Sequence, residues 1–333
     1  MVDDRDGNDT RRPAVSRNLA TAARLKKPVR AFRVAVMGSP RWLEVAAELL
    51  GRAGVTCEVV DIQSKGAAVS WMLRCQWRHF DAIHHVYGPN WWWGTSMAIL
   101  GKPVIWHWIG TDVLDFRVAR DAHHGWQSAL TCRAAYQWAC AHLADSPELA
   151  EELQELGIQA RVVRLLPKLI EAEVEPLPQK FSVLTYWNPN RKDFYRGEIV
   201  FQLAEEFPDV EFKIVNVTGA GESASPNVKF LGYQDDIASI YSQSSVLIRL
   251  PKHDSLSAMV LEMLVRGRYV IYNKKQAGCY FATSLSEARK ALQEIKQKVA
   301  PNTAGAQSVR ERFSLDEEAQ ALSELYGALF GCC

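Results

Sequence analysis

The residues with the clearest chemical use lie between Arg249 and Glu262. There an apolar strand runs through Pro251-Lys252-His253 into Asp254-Ser255-Leu256-Ser257, and then into an apolar helical run. A helix that starts just after a strand offers unpaired N–H groups and the positive end of its dipole, a ready seat for phosphate. At about 1.5 Å of rise per residue, Glu262 lies roughly 8 to 10 Å from a helix end at Ser255 to Ser257, the span from a diphosphate to the ribose of a nucleotide. One segment can therefore address three parts of a sugar nucleotide. Asp254 takes sugar hydroxyls, Ser255, Leu256 and Ser257 bring backbone N–H groups to phosphate, and Glu262 accepts from ribose hydroxyls.

Positioning such a segment needs a parallel sheet, and the pattern around it supplies one. Short apolar runs at 32–37, 56–62, 82–87 and 103–108 end in glycine or proline turns, and 42–50 reads as a helix stopped by Gly51. Strand, turn, helix, strand is the opening of a βαβ unit, whose turns line ligand crevices in doubly wound sheets. A proline-punctuated stretch at 167–180 reads as a linker, after which the pattern restarts. Strands are expected at 181–187, 210–217, 227–231, 246–250 and 269–272, with helices at 198–207, 236–242 and 256–265. A closing helix at 314–330 begins with Ser314 and Glu317 at capping-box spacing. The expected domains are a basic arm at 1–30, an α/β domain at 31–166, the linker, a second α/β domain at 181–312, and a helix at 313–333 crossing back to the first.

Asp254-x7-Glu262, followed by Arg266-Gly267-Arg268-Tyr269-Val270-Ile271, resembles the Glu-x7-Glu motif and downstream strand of retaining glycosyltransferases of the GT-B fold, especially glycosyltransferase family 4. The strand at 183–187 leading to Arg191, Lys192 and Arg196-Gly197 is similar to that family's Arg-x4-Lys-Gly element, in which cations hold the donor diphosphate. The run 227–233, ending in Tyr233, resembles the strand and turn that edge the base pocket. The resemblance covers nearly the whole chain from residue 31 and implies two Rossmann-like domains facing across a cleft. It also implies a nucleoside-diphosphate sugar as co-substrate, transfer with retention, no metal requirement, and an acceptor that is a glycan, a lipid-linked sugar or a small molecule.

The first domain offers Gly38, in the turn Gly38-Ser39-Pro40-Arg41 where the family's glycine loop meets the donor, although a bare turn would look the same. Asp112 follows a glycine turn and either meets the acceptor hydroxyl or caps a helix. The histidine that many family members carry falls at Ile109. His107, on the same strand face by alternation, is the candidate left to reach the sugar. Arg196 stands in place of the family's lysine, while Ile109 in place of that histidine and Asp254 in place of glutamate leave open a nucleotide-sugar-binding protein or partner subunit without turnover; an epimerase of the same fold is a third alternative.

Other chemistries are disfavoured. Gly219-Ala220-Gly221-Glu222 is followed by Ser225-Pro226-Asn227 rather than a helix, so it reads as a loop and not a dinucleotide fingerprint. Asp4-Arg5-Asp6 lies in the arm, and the adjacent pairs His84-His85 and His123-His124 do not face one point, so no metal site is expected. Five of the eleven tryptophans fall between Trp91 and Trp108, where packing is favoured over stacking on an acceptor. A net charge of +1, from 39 basic and 38 acidic residues, argues against nucleic acid as the main partner. Seven cysteines without a Cys-x-x-Cys pair fit reduced thiols in the cytoplasm, and the vicinal Cys332-Cys333 reads as an exposed tail. The arm, with no acid between Thr10 and Arg33, has the charge to graze an anionic inner membrane face.

Overall fold

The computed structural model describes residues 32–62, 64–88, 96, 100–121 and 125–331. The basic arm, Trp91 to Trp93, His123-His124 and Cys332-Cys333 lie outside the described residues. The expected fold class, α/β with two parallel sheets, is the one observed. The first half has strands β1 (Val34–Gly38), β2 (Cys57–Val59), β3 (Ala82–Val86), β4 (Val104–Trp108), β5 (Ala139–Ala144) and β6 (Arg161–Val162), in the order β2-β1-β3-β4-β5-β6. Its described helices are α1 (Pro40–Arg52), α2 (Lys65–Leu73), α3 (Asp112–Asp121), α4 (Trp126–Gln137) and α5 (Pro147–Glu155).

The second half has β7 (Ser182–Tyr186), β8 (Glu211–Val215), β9 (Val228–Gly232), β10 (Val246–Arg249), β11 (Tyr269–Tyr272) and β12 (Tyr280–Phe281), in the order β12-β11-β10-β7-β8-β9. Its helices are α6 (Gly197–Glu206), α7 (Ile237–Ser242), α8 (Ala258–Val265), α9 (Leu285–Ile295), α10 (Thr303–Arg312) and α11 (Leu315–Phe330). The strand order reverses between β1 and β3 in one sheet and between β7 and β10 in the other, and ligands of open α/β sheets sit beyond the carboxyl ends of strands at such points.

Continuous apolar runs fit this burial. Every residue of β3 and β4 is buried, as a strand covered by helices on both faces requires. At the end of β1 the backbone of Gly38 takes φ 122°, and a Cβ there would lie 1.9 Å from the Val86 carbonyl oxygen. Only glycine lets β1 turn into α1 this close to β3. No described helix is long and apolar enough to cross a membrane.

The two halves are fastened together. Leu184, Leu247 and Val260 of the second share one apolar cluster with Val34, Leu49 and Leu322. The 167–180 stretch is held by the buried Arg268, which donates to the Pro176 and Glu175 carbonyls and pairs with the Glu175 carboxylate at 2.7 Å. Helix α11 starts on Ser314, whose hydroxyl accepts the Glu317 N–H at 3.3 Å. It lies against the first half, where Phe330 stacks on Phe32 at 4.7 Å and Arg164 pairs with Glu318 at 2.8 Å.

Candidate functional site

Two adjoining cavities open between the halves, one of about 730 Å³ and one of about 560 Å³. They share Arg41 and Trp42 from the first half with Tyr186, Ala258 and Met259 from the second. Both lie beyond the ends of β1 and β7, and the smaller also beyond the end of β10, where the strand orders reverse.

The larger cavity is bounded by Glu262, Tyr241, Tyr233 and Asp235 on one side and by Trp42, Val45 and Leu169 on the other. Glu262 is 5% exposed and accepts the Tyr241 hydroxyl proton at 2.6 Å. Burial raises its pKa, while the Tyr241 bond and the charges of Arg41 and Arg266 oppose the rise. Tyr233 is 77% exposed, an aromatic face at the cavity mouth with the area to stack on a base.

The smaller cavity carries Arg41, Arg191 and Arg249 against the single carboxylate of Asp254, so it is strongly electropositive. Leu256, Ser257 and Ala258 form its floor, where α8 begins. Ser257 is the N-cap but makes no side-chain capping bond, so the first N–H groups of α8 keep their capacity for an anion. The helix starts at Ala258, later than the sequence suggested. Glu262 is thus only about 6 Å along the axis from that start, a phosphate-to-ribose step rather than the longer span expected. Ser255 sits one step further back, its hydroxyl donating to Ser146 of the first half at 3.2 Å.

Asp254 is clamped. Arg249 Nε reaches Oδ2 at 3.0 Å, its Nη2 reaches Oδ1 at 3.3 Å, and the Tyr272 hydroxyl donates to Oδ2 at 3.2 Å. Burial works against the Arg249 charge, yet Asp254 outweighs it and the guanidinium pKa is raised. A carboxylate has about four lone-pair sites, so roughly one, on Oδ1, is left for a ligand hydroxyl. Tyr87 and Asn216, which line the two cavities, have φ of 94° and 70°. Such backbone costs on the order of 1 to 3 kcal/mol and clusters where a site demands it.

The structure brings Arg191, Leu256, Ser257, Tyr233, Asp254 and Glu262 to the cavities, and it does not bring the others. His107 is fully buried within the first half. Its Nε2 bonds the Val163 carbonyl at 2.7 Å and its Nδ1 meets His84 Nε2 at 3.1 Å, while burial lowers its pKa to about 4. Ile109, two residues on, lines the smaller cavity instead. Asp112 is also buried: its carboxylate accepts from Gly88 N at 2.7 Å, Gly110 N at 2.8 Å and Ile109 N at 3.1 Å. Burial raises its pKa to about 6 against those bonds, and it shapes the turn rather than meeting an acceptor. Lys192 points to Glu222 at 2.7 Å and Glu198 at 2.9 Å, and Arg196 donates to the Thr283 carbonyl. Gly38 acts through packing, and Gly219-Ala220-Gly221-Glu222 is a loop with no helix after it.

Trp42, Tyr186, Tyr241 and Arg249 also line the cavities although nothing in the sequence marks them as site residues, and Arg41 is marked there only as part of a turn. The available signal is position: Arg41 and Trp42 open the helix after β1, Tyr186 and Arg249 close β7 and β10, and Tyr241 lies on α7.

By sequence the chain matches no described protein family and no curated protein. By structure it is similar to a sucrose-phosphate synthase from Thermosynechococcus elongatus, with a TM-score of 0.67 at 14% identity over 90% of this chain and 99% of that one. It is also similar to WaaG, a glycosyltransferase involved in lipopolysaccharide biosynthesis (TM-score 0.60, 11% identity, 88% and 99% covered). A third similar structure is a putative UDP-N-acetylglucosamine 2-epimerase from Listeria monocytogenes (TM-score 0.55, 11% identity, 91% and 98% covered). At these identities the likeness is one of fold: two Rossmann-like domains in the GT-B arrangement.

Proposed function

We propose that this chain transfers a sugar from a nucleoside diphosphate to an acceptor, with retention of configuration and without a metal. One observation carries the reading. An acid-bearing cavity and an electropositive cavity adjoin across the start of α8, with Glu262 about one helical turn from the first N–H groups. A nucleotide laid along them puts its base by Tyr233, its ribose hydroxyls on Glu262 and its diphosphate at the α8 N-terminus beside Arg191. The leaving charge then falls on preorganised guanidinium and backbone N–H donors, the kind of electrostatic stabilisation that accelerates departure of an anion. The remaining Asp254 acceptor site orients the sugar. Neither His107 nor Asp112 has a role in the transfer, and retention is compatible with a site that offers no second free carboxylate beside Asp254 among the described lining residues.

The fold shared with WaaG, named as a glycosyltransferase, and with the sucrose-phosphate synthase supports this reading, and the acceptor class stays with the sequence expectation of a glycan, a lipid-linked sugar or a small molecule. The test is a screen of UDP-, GDP-, dTDP- and ADP-sugars by thermal shift, with donor turnover followed in parallel. The expected result is stabilisation by one nucleotide class and release of its diphosphate when an acceptor is supplied. Stabilisation with no turnover over any acceptor would replace transfer with binding alone, release of a free epimer would replace it with epimerisation, and no stabilisation at all would remove the reading.

A further inference from the structure

The cations around the two cavities divide into committed and uncommitted groups. Arg249 is paired with Asp254, Lys192 with Glu198 and Glu222, Arg196 is bonded to the Thr283 carbonyl, and Arg266 donates to the Glu262 and Leu169 carbonyls. The Arg41 side chain makes no ion pair or hydrogen bond among the described residues. It is the second residue of α1, so it comes from the first half, and it lines both cavities at the place where they join. Its guanidinium carbon sits 5.6 Å from the Tyr186 ring of the second half and 5.8 Å from the Trp42 ring.

Stacking of this kind holds a guanidinium in place through its face and leaves its in-plane N–H donors unspent. Two aromatic rings therefore orient Arg41 without satisfying it, and Arg191 stands across the smaller cavity on the other half, stacked on Phe194 at 5.5 Å. The Arg41 charge is felt at Glu262, where it favours the ionised form, and Arg41 lines both of the cavities that a nucleotide would have to span.

We propose that Arg41 grips the diphosphate of the nucleotide from the first half, opposite Arg191 and the α8 N-terminus of the second, so that one ligand is held by both halves and its leaving charge is shared between two guanidiniums. This rests on the donor reading given above and adds to it a phosphate contact from the other side of the cleft. A planar fork suits a phosphate edge in a way an ammonium does not, so lysine at this position keeps the charge but loses the two-pronged contact and the ring stack.

The test uses the full chain, with UDP, GDP, dTDP and ADP as probes and the matching nucleosides as phosphate-free controls, titrated by calorimetry into the native chain, R41K, R41A and E262A. For whichever diphosphate the native chain binds, R41A is expected to weaken affinity by about tenfold to a hundredfold and R41K by a smaller factor, while the matching nucleoside binds R41A as it binds the native chain. The nucleoside control also reports that the variant cavity is folded. Unchanged diphosphate affinity in R41A, or equal losses for nucleoside and diphosphate, overturns the phosphate role of Arg41. If E262A loses affinity while R41A does not, this inference fails and the donor reading stands. If the native chain binds none of the four diphosphates, the donor reading fails and takes this inference with it.

Discussion

At the end of β4 and at the end of β10 the chain makes the same local move: a buried strand runs through a turn into a helix, with a carboxylate close to the turn. The outcomes differ because of where the donors are. Around Asp112 the N–H groups of Gly88, Ile109 and Gly110 converge on the carboxylate, which is used up inside the fold. Around α8 the N-cap residue makes no capping bond, Asp254 is held by side chains rather than by its own turn, and Glu262 has a single phenolic partner beside a cavity. A carboxylate surrounded by its own backbone donors organises a loop, whereas one bordered by a cavity and cations can receive a ligand.

The same contrast runs through the histidines. His84, His85, His107 and His142 all lie on β3, β4 and β5 of the first half, neutral and hydrogen-bonded, while His253, the one histidine of the second half, bonds Glu152 across the halves at 3.0 Å. Burial lowers the pKa of His85, His107 and His142 to about 4 against an ordinary 6.5. The unfolded chain takes up protons at these sites from pH 6.5 downward and the native chain only near 4, so stability present above 6.5 is lost as pH falls. Each histidine contributes on the order of 3 kcal/mol to that loss, comparable in sum with the roughly 5 to 15 kcal/mol that usually holds a domain folded. The raised carboxyls of Asp112 and Asp145 in the same half work the other way, so the net loss is smaller than that sum, and the largest effect expected is acid unfolding that begins in the first half. Hydrogen exchange at pH 5 should show β3 and β4 opening before β10 and β11. Equal protection of both sheets at pH 5 would mean that the histidines are not held neutral.

A smaller effect separates the two carboxylate turns. Asp112→Ala removes the acceptor of three backbone N–H groups and is expected to cost about 3 kcal/mol. The melting temperature should fall by about 10 °C while nucleotide affinity stays within about threefold. Intact stability with lost turnover would return Asp112 to the acceptor site. Smallest is Lys192→Ala: with its ammonium committed to Glu198 and Glu222, nucleoside-diphosphate affinity should stay within about twofold, and the partly exposed pairs add at most about 1 kcal/mol of stability. A tenfold loss in affinity would show that Lys192 turns into the cleft when ligand binds.

Much of this was legible in the sequence. The strands at 82–87, 103–108 and 269–272 and the helices at 198–207 and 236–242 fall within a residue or two of the observed ones, because buried parallel strands need unbroken apolar runs and helices need caps. The acid at 262 was legible because strand, turn and helix fix its position relative to the helix start. The partners of His107 and Lys192 were not. His107 meets Val163, 56 residues away, and Lys192 meets Glu222, 30 residues away, so whether each side chain faces core, surface or cleft is settled by tertiary packing alone. Arg41 was hidden for the same reason: a cation after a proline turn says nothing of the Tyr186 ring it will lie over.

The proposed transfer requires Glu262 to hold the pentose of a nucleotide whose diphosphate rests at the start of α8. The direct measurement is a two-by-two comparison of affinity by calorimetry: the nucleoside diphosphate that binds and its 2′,3′-dideoxy counterpart, each against the native chain and Glu262→Ala. Loss of the ribose hydroxyls should weaken binding to the native chain by about tenfold or more, and the variant should bind both ligands equally weakly, since the bond lost is the same one. If the dideoxy ligand loses the same factor in both proteins, or if Glu262→Ala binds the ribonucleotide as tightly as the native chain does, Glu262 does not hold the pentose.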